Sequence, residues 1–275
     1  MLKKLFKYEW KYCWKVPATI NLCLIIMTLV GIVSLISPFW TLDYAIIDVL
    51  MFTAISLYYL SIIAGSIAVS VYIAVRYYKN VYTDEGYLTN TLPVTPRQII
   101  LSKLFVSTIW SFITSIVITI SVFLLIHCAL ISYENVNIFS EMANVWSEFV
   151  ILCEDELGLS LTSFLVAILL SLIISPIFSI LMMYSSIALG QLFTKHKIAG
   201  AVIWYIIQYM IIQTVTSLIM NVPLFFGLME ADYNNISPMS IINPIMYGSI
   251  LLTLAATVGL YFITEYMLKK KLNLD

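Results

Sequence analysis

LTSFLVAILLSLIISPIFSILMMYSSIAL, residues Leu161–Leu189, contains no Asp, Glu, Lys, Arg or His. A helix needs about 20 apolar residues to cross the ~30 Å hydrocarbon layer of a bilayer, so this run is long enough to span one. Basic residues return just beyond it, at Lys195 and Lys197. Working outward from this run, five more read the same way: Pro17–Phe39, Leu50–Val75, Ile99–Leu130, Ile198–Met220 and Ile245–Met267. The runs are long and continuous, not short and alternating, and so predict helices and not barrel strands. Hydrophobic residues make up 61% of the chain, charged residues 11%, and the mean hydropathy is +0.99. Soluble domains hold about 45–50% apolar and about 25% charged residues, which excludes a water-soluble class.

The fourteen Lys and Arg residues fall into four clusters: Lys3 to Lys15, Arg76 to Lys103, Lys195 with Lys197, and Lys269 to Lys271. Each cluster is separated from the next by two apolar runs. Basic side chains resist translocation, so six spans with both termini cytoplasmic keep all fourteen on one side. One span more or fewer would send some of them outside. Ten of the fifteen acids then lie outside: Asp43, Asp48, Glu134, Glu141, Glu148, Glu154, Asp155, Glu156, Glu230 and Asp232. The expected fold is an all-α membrane protein with six transmembrane helices. The first run is too long for a signal-peptide core, and Ser37-Pro38-Phe39-Trp40 offers no small-x-small cleavage site. Of Cys13, Cys23, Cys128 and Cys153, the last two fall near the outer face, where they either pair or sit as small buried apolar residues.

Between the spans the pattern is uneven. In residues 1–16, Lys3, Lys7, Lys11 and Lys15 repeat every four positions, with Leu2, Phe6, Trp10, Cys13 and Trp14 between them. This predicts an amphipathic helix in the cytoplasmic interface, which also serves as a topogenic basic segment. The remainder, 17–275, is the six-helix membrane domain. Residues 76–98 form its longest inside loop. There Thr95-Pro96-Arg97-Gln98 reads as a capping box with proline at the first helical position, so the third membrane helix should start at Pro96. Arg97 and Lys103 would then ride on cytoplasmic turns or snorkel to the headgroups. Pro93 ends whatever precedes it, leaving Asp84–Leu92 as a short helix with Leu88 and Leu92 on one face. Of the external segments, 131–160 carries helically spaced Phe139, Met142, Trp146 and Phe149, which predict a short amphipathic helix resting on the outer leaflet or capping the bundle. The breaker-rich 221–244 suggests a hairpin dipping into the outer interface, and Pro176 should kink the fourth span.

Chemical motifs are sparse. The sequence has no G-x-x-x-x-G-K-[ST] phosphate loop and no H-E-x-x-H. His127 and His196 are isolated, and Asn21, Gln208 and Gln213 read as interhelical hydrogen-bonding amides. Proton- or ion-coupled transporters carry ionisable groups inside their spans. Spans almost free of charge argue against ion coupling and point to an external motor. No site for catalysis, a cofactor or a metal is expected, and no nucleic acid partner.

The loop between spans two and three reads Asp84-Glu85-Gly86-Tyr87-Leu88-Thr89, then Thr91-Leu92-Pro93-Val94-Thr95-Pro96-Arg97 and on to Lys103-Leu104. This order of an acidic-Gly element, a Pro-Val-Thr turn and an Arg before the third helix resembles the permease subunits of type 2 ATP-binding-cassette exporters. The six-span layout, the N-terminal interface helix and Asn243-Pro244 before span six are similar too. Tyr87, where the family more often has Thr, and Thr89-Asn90, where an acid is common, depart from the pattern, as does the large acidic external segment.

The resemblance implies a multi-pass protein of a bacterial cytoplasmic membrane, working as a homo- or heterodimer of permeases. Separate ATPase subunits would bind ATP and magnesium. Asp84, Glu85, Gly86, Leu88, Leu92, Pro93, Pro96 and Arg97 would form the ATPase-coupling element. Lys3, Phe6, Lys7, Trp10 and Trp14 would belong to the interface helix. Apolar spans and an acidic outer surface suit a peptide, drug or other amphipathic compound. The competing expectation is a stand-alone membrane protein for peptide immunity or sensing.

Overall fold

The computed structural model describes residues 2–36, 45–91, 93–134, 138–151, 161–230 and 238–270. Among these residues every regular element is an α-helix: α1 (Leu2–Cys13), α2 (Lys15–Ile36), α3 (Ala45–Tyr82), α4 (Asp84–Thr91), α5 (Pro96–Glu134), α6 (Ile138–Ile151), α7 (Leu161–Gly190), α8 (Lys197–Glu230) and α9 (Pro238–Lys270). Within α2, α3, α5, α7, α8 and α9 lie six stretches long and apolar enough to cross a membrane: Lys15–Leu35, Phe52–Tyr82, Pro96–Ala129, Leu161–Gly190, Lys197–Val222 and Ile242–Lys270. The chain is therefore a multi-pass integral membrane protein. Lipid leaves a backbone N–H or C=O no outside partner, so each crossing closes its hydrogen bonds within its own helix. Hydroxyls in the spans do likewise, donating to the carbonyl one turn back: Thr19 to Lys15 (2.8 Å), Ser56 to Phe52 (2.7 Å), Thr119 to Ser115 (2.9 Å) and Ser175 to Ser171 (2.7 Å).

Several boundaries differ from those read in the sequence. α2 starts at Lys15, directly after α1. Residues 76–82, assigned to a loop, continue α3 as helix, because Val81 and Tyr82 are buried and hold the last turn against neighbours. α5 begins at Pro96 as the capping box requires. Gln98 Oε1 accepts the Thr95 N–H at 3.3 Å, and the Gln98 N–H donates to the Thr95 carbonyl at 2.9 Å. The expected hairpin over 221–244 is corrected. α8 continues to Glu230 and α9 is already helical at Pro238, so only 231–237 remains, outside the described residues. Asn221 helps here, its Nδ2 donating to the Ser217 carbonyl at 2.7 Å, a side-chain bond along the helix of the kind that sustains breakers in membrane helices. α7 likewise runs unbroken through Pro176. The amphipathic segment expected between spans three and four is α6. Cys13, Cys23 and Cys128 are free thiols, and Cys153 lies outside the described residues.

The helices gather into two compact units. One comprises residues 1–75 with 105–146. Its core joins Cys13, Val106 and Trp110, flanked by Phe6, Trp10, Ala18, Tyr72 and Ile113. Two polar pairs then fasten α2 to α5. Asn21 Nδ2 donates to Thr114 Oγ1 at 3.1 Å, and the Thr28 and Ser121 hydroxyls bond at 2.5 Å. Both members of the second pair lie seven residues, two helical turns, beyond those of the first, so the two parallel helices keep one seam. The Tyr58 hydroxyl brings α3 to the same Ser121. Small residues let the helices close further. A Cβ at Gly65 would stand 2.8 Å from a Leu24 methyl, and one at Gly31 3.2 Å from a Leu125 methyl.

The second unit comprises residues 76–104 with 147–275, in which α7, α8 and α9 pack on one another. Ser185 and Ser186 of α7 both donate to Gln208 Oε1 of α8, at 2.9 and 3.2 Å. Gln208 thus makes the interhelical contact expected of it, whereas Gln213 is exposed. Tyr77 stacks on Tyr184 with ring centroids 3.7 Å apart. At the α7–α8 turn a Cβ on Gly190 would lie 2.6 Å from the Ala201 backbone nitrogen, which nothing flexible can relieve.

Two outcomes test this arrangement. Gly190→Val should destabilise the second unit by about 1–3 kcal/mol or prevent its folding, read as a lowered unfolding midpoint in detergent. A Thr28→Val/Ser121→Ala double-mutant cycle should return a coupling of about 0.5–1.5 kcal/mol; a coupling indistinguishable from zero would mean that the seam does not depend on this pair.

Candidate functional site

The residues singled out between spans two and three occupy a compact structure. α4 follows α3 after a single residue, Thr83, whose carbonyl accepts the Gly86 N–H at 2.6 Å. Gly86 is buried against the turn, while Glu85, Tyr87 and Leu88 are exposed, Leu88 by 74%. Asp84 opens the helix. Leu92 lies outside the described residues, Pro93 is exposed, and Pro96 begins α5 half-buried.

Beneath α4 a polar chain ties three helices together. Lys103 of α5, only 4% exposed, donates its ammonium to Asn80 Oδ1 of α3. Asn80 Nδ2 in turn donates to Glu85 Oε2 of α4 at 2.9 Å. An ammonium only donates and a carboxylate only accepts, so the two contacts fix which way the Asn80 amide points. A cation and an anion are linked through one neutral amide, and the root of α4 is held. Lys103 therefore neither rides free nor snorkels to headgroups as the sequence suggested. A buried ammonium needs fixed acceptors, and the half-buried Asn80 supplies one.

Arg97, on the first turn of α5, gains a partner that the sequence did not indicate. Its Nε donates to Glu265 Oε1 of α9 at 2.6 Å, an ion pair joining the start of α5 to the end of α9. The Arg97 side chain remains 65% exposed while Glu265 is 11% exposed, and Glu265 Oε2 is buried with no hydrogen-bond partner. The carboxylate is thus the demanding member of the pair. Asn80 and Glu265 escaped the sequence reading. Glu265 had left a signal, being an acid inside the apolar run Ile245–Met267 where an unpaired charge is costly. Asn80 left none, since a lone amide in a helix is uninformative.

Of the proposed interface residues, Phe6 and Trp10 are half-buried, each with part of its ring against the bundle. Trp10 stacks on Trp110 at 5.5 Å, and Phe6 meets Phe105 edge-on at 6.0 Å. Lys3, Lys7 and Trp14 stay exposed. In the same unit, a cavity of about 170 Å³ lies among Gly31, Ser34, Tyr58, Tyr59, Leu125 and Ile126. Its walls are uncharged, so it suits an apolar group. Among the described residues no group of His, Cys, Asp and Glu is placed to hold a metal ion.

Comparison with family models, with curated proteins and with solved structures finds no match to this chain. The functional reading therefore stands on the residues and their geometry.

The asymmetry of the Arg97–Glu265 pair is testable. Arg97→Ala should destabilise the protein more than the double change Arg97→Ala/Glu265→Gln, because the single change strands a buried carboxylate. Thermal unfolding in detergent checks the order; equal or reversed midpoints would mean that Glu265 is solvated. Asn80→Leu should cost about 1.5–3 kcal/mol, the range for hydrogen bonds to charged groups.

Proposed function

We propose that this chain is the membrane-spanning subunit of an ATP-driven exporter in a bacterial cytoplasmic membrane, with α4 as the element through which separate ATPase subunits act. The observation that carries this reading is the build of the α4 region. A short helix stands between two membrane helices, rooted through Glu85, Asn80 and the buried Lys103, with Tyr87 and Leu88 exposed beyond the root. A helix anchored at its base, with Tyr87 and Leu88 exposed, can transmit a push without melting. The root reaches α5 directly and, through Arg97 and Glu265, α9 as well. Force on α4 would therefore tilt more than one span.

Supporting this are the motif order from Asp84 to Lys103, the one-sided basic clusters that favour a cytoplasmic α4 end, and apolar runs almost free of charge. Two permease copies, or one with a homologue, would enclose the pathway. ATP and magnesium would be handled by the partner, and this chain would perform no covalent chemistry. A peptide, drug or other amphipathic compound fits the apolar spans and acidic outer segments.

The test is affinity purification of the tagged full chain from its native membranes in mild detergent. An ATPase subunit should co-purify, and Leu88→Asp or Glu85→Ala should lower its recovery at least about tenfold, a loss of about 1.4 kcal/mol in binding, at unchanged membrane abundance. Recovery unaffected by both changes would remove α4 from the contact. Repeated absence of any ATPase would instead favour a stand-alone immunity or sensing protein.

A further inference from the structure

α1 presents a second surface that the exporter reading leaves unused. Its stripe of Phe6, Trp10 and Cys13 is docked on the bundle, with Cys13 buried. Around the remainder of the helix Lys3, Lys4, Lys7 and Lys11 are exposed, as is Lys15 at the start of α2. Among the described residues none of the five takes part in an ion pair or a side-chain hydrogen bond. Lys3, Lys7 and Lys11 are four residues apart, one turn each, and so form a single row of uncompensated positive charge.

Beside that row an open groove of about 300 Å³ is lined by Phe6, Lys7, Trp10 and Ile109. Ile109 belongs to Pro96–Ala129, a stretch apolar enough to cross a membrane. One side of the groove is cationic, at Lys7, and the rest of its lining is apolar.

We propose that this row and groove form a binding site for an anionic phospholipid, its phosphate held by Lys3, Lys7 and Lys11 and an acyl chain laid against Phe6, Trp10 and Ile109. Clustered lysines on an amphipathic helix next to a membrane span attract anionic headgroups. The groove adds what a diffuse charge lacks, a fixed place for the chain. A bound lipid would brace α1 against α5 and so steady the aromatic core of the first unit. The site rests on the docking of α1 and on the position of Ile109 in a span, and holds whether or not a motor acts on α4.

The purified full chain in detergent would be examined by native mass spectrometry after addition of phosphatidylglycerol or of phosphatidylcholine with the same acyl chains. Phosphatidylglycerol should be retained at least about tenfold better. Changing Lys3, Lys7 and Lys11 together to Gln should remove the preference, at roughly fivefold per lysine, whereas the three corresponding Arg changes should preserve it. All the substituted positions are exposed, and unchanged circular dichroism and elution volume confirm that the variants fold. Millimolar inorganic phosphate should not displace the lipid. Equal retention of the two lipids, or a Gln variant that keeps the preference, overturns the proposal. Displacement by free phosphate would make this an anion site without a lipid, and lysines that matter only for capturing an acidic protein would make it a protein contact; either result also overturns it.

Discussion

Hydrocarbon offers no hydrogen bond to a polar group, and this constraint governs the structure from backbone to side chain. It makes each crossing a helix. It also decides what hydroxyls do, since a Ser or Thr facing lipid has only its own helix carbonyls to turn to. Thr19, Ser56 and Ser175 take that course. Thr28, Ser185 and Ser186 bond their own helix too, but also reach across, Thr28 with Ser121 and the two serines with Gln208, and so mark where helices meet closely. Polarity inside the spans is thus a record of contact, and the two units are each held by a small set of such pairs with glycine or serine letting the backbones approach.

The same constraint drives charge to the span ends and then demands that it be paired there. Lys103 and Glu265 are both buried, and each is answered by a residue from another helix. The Lys103 link continues through Asn80 to Glu85 and so fixes the start of α4, while Tyr87 and Leu88 of the same helix are exposed. α1 shows the complementary case. Its aromatic residues are half-buried against the bundle, and its lysines are exposed.

Much of this was legible before any coordinates. The six spans, the helix start at Pro96, the short helix after Asp84 and the amphipathic segment that became α6 all follow from local pattern. Local pattern failed at breakers. The sequence over 221–244 reads as a hairpin from its Asn, Pro and aromatic content, yet α8 and α9 extend into it from both sides, because within a membrane the cost of opening a helix exceeds the cost of one proline. Nor does local pattern say which bundle residues Phe6 and Trp10 meet, since an apolar stripe suits lipid and bundle equally well.

The sequence by itself determined the class of the protein and the number of its crossings, because exclusion of charge from hydrocarbon acts on each residue separately and leaves a one-dimensional trace. Only the tertiary structure decided which polar groups meet. Arg97 and Glu265 are 168 positions apart, and Asn21 and Thr114 are 93. No periodicity connects such residues; they become partners only when packing brings their helices side by side.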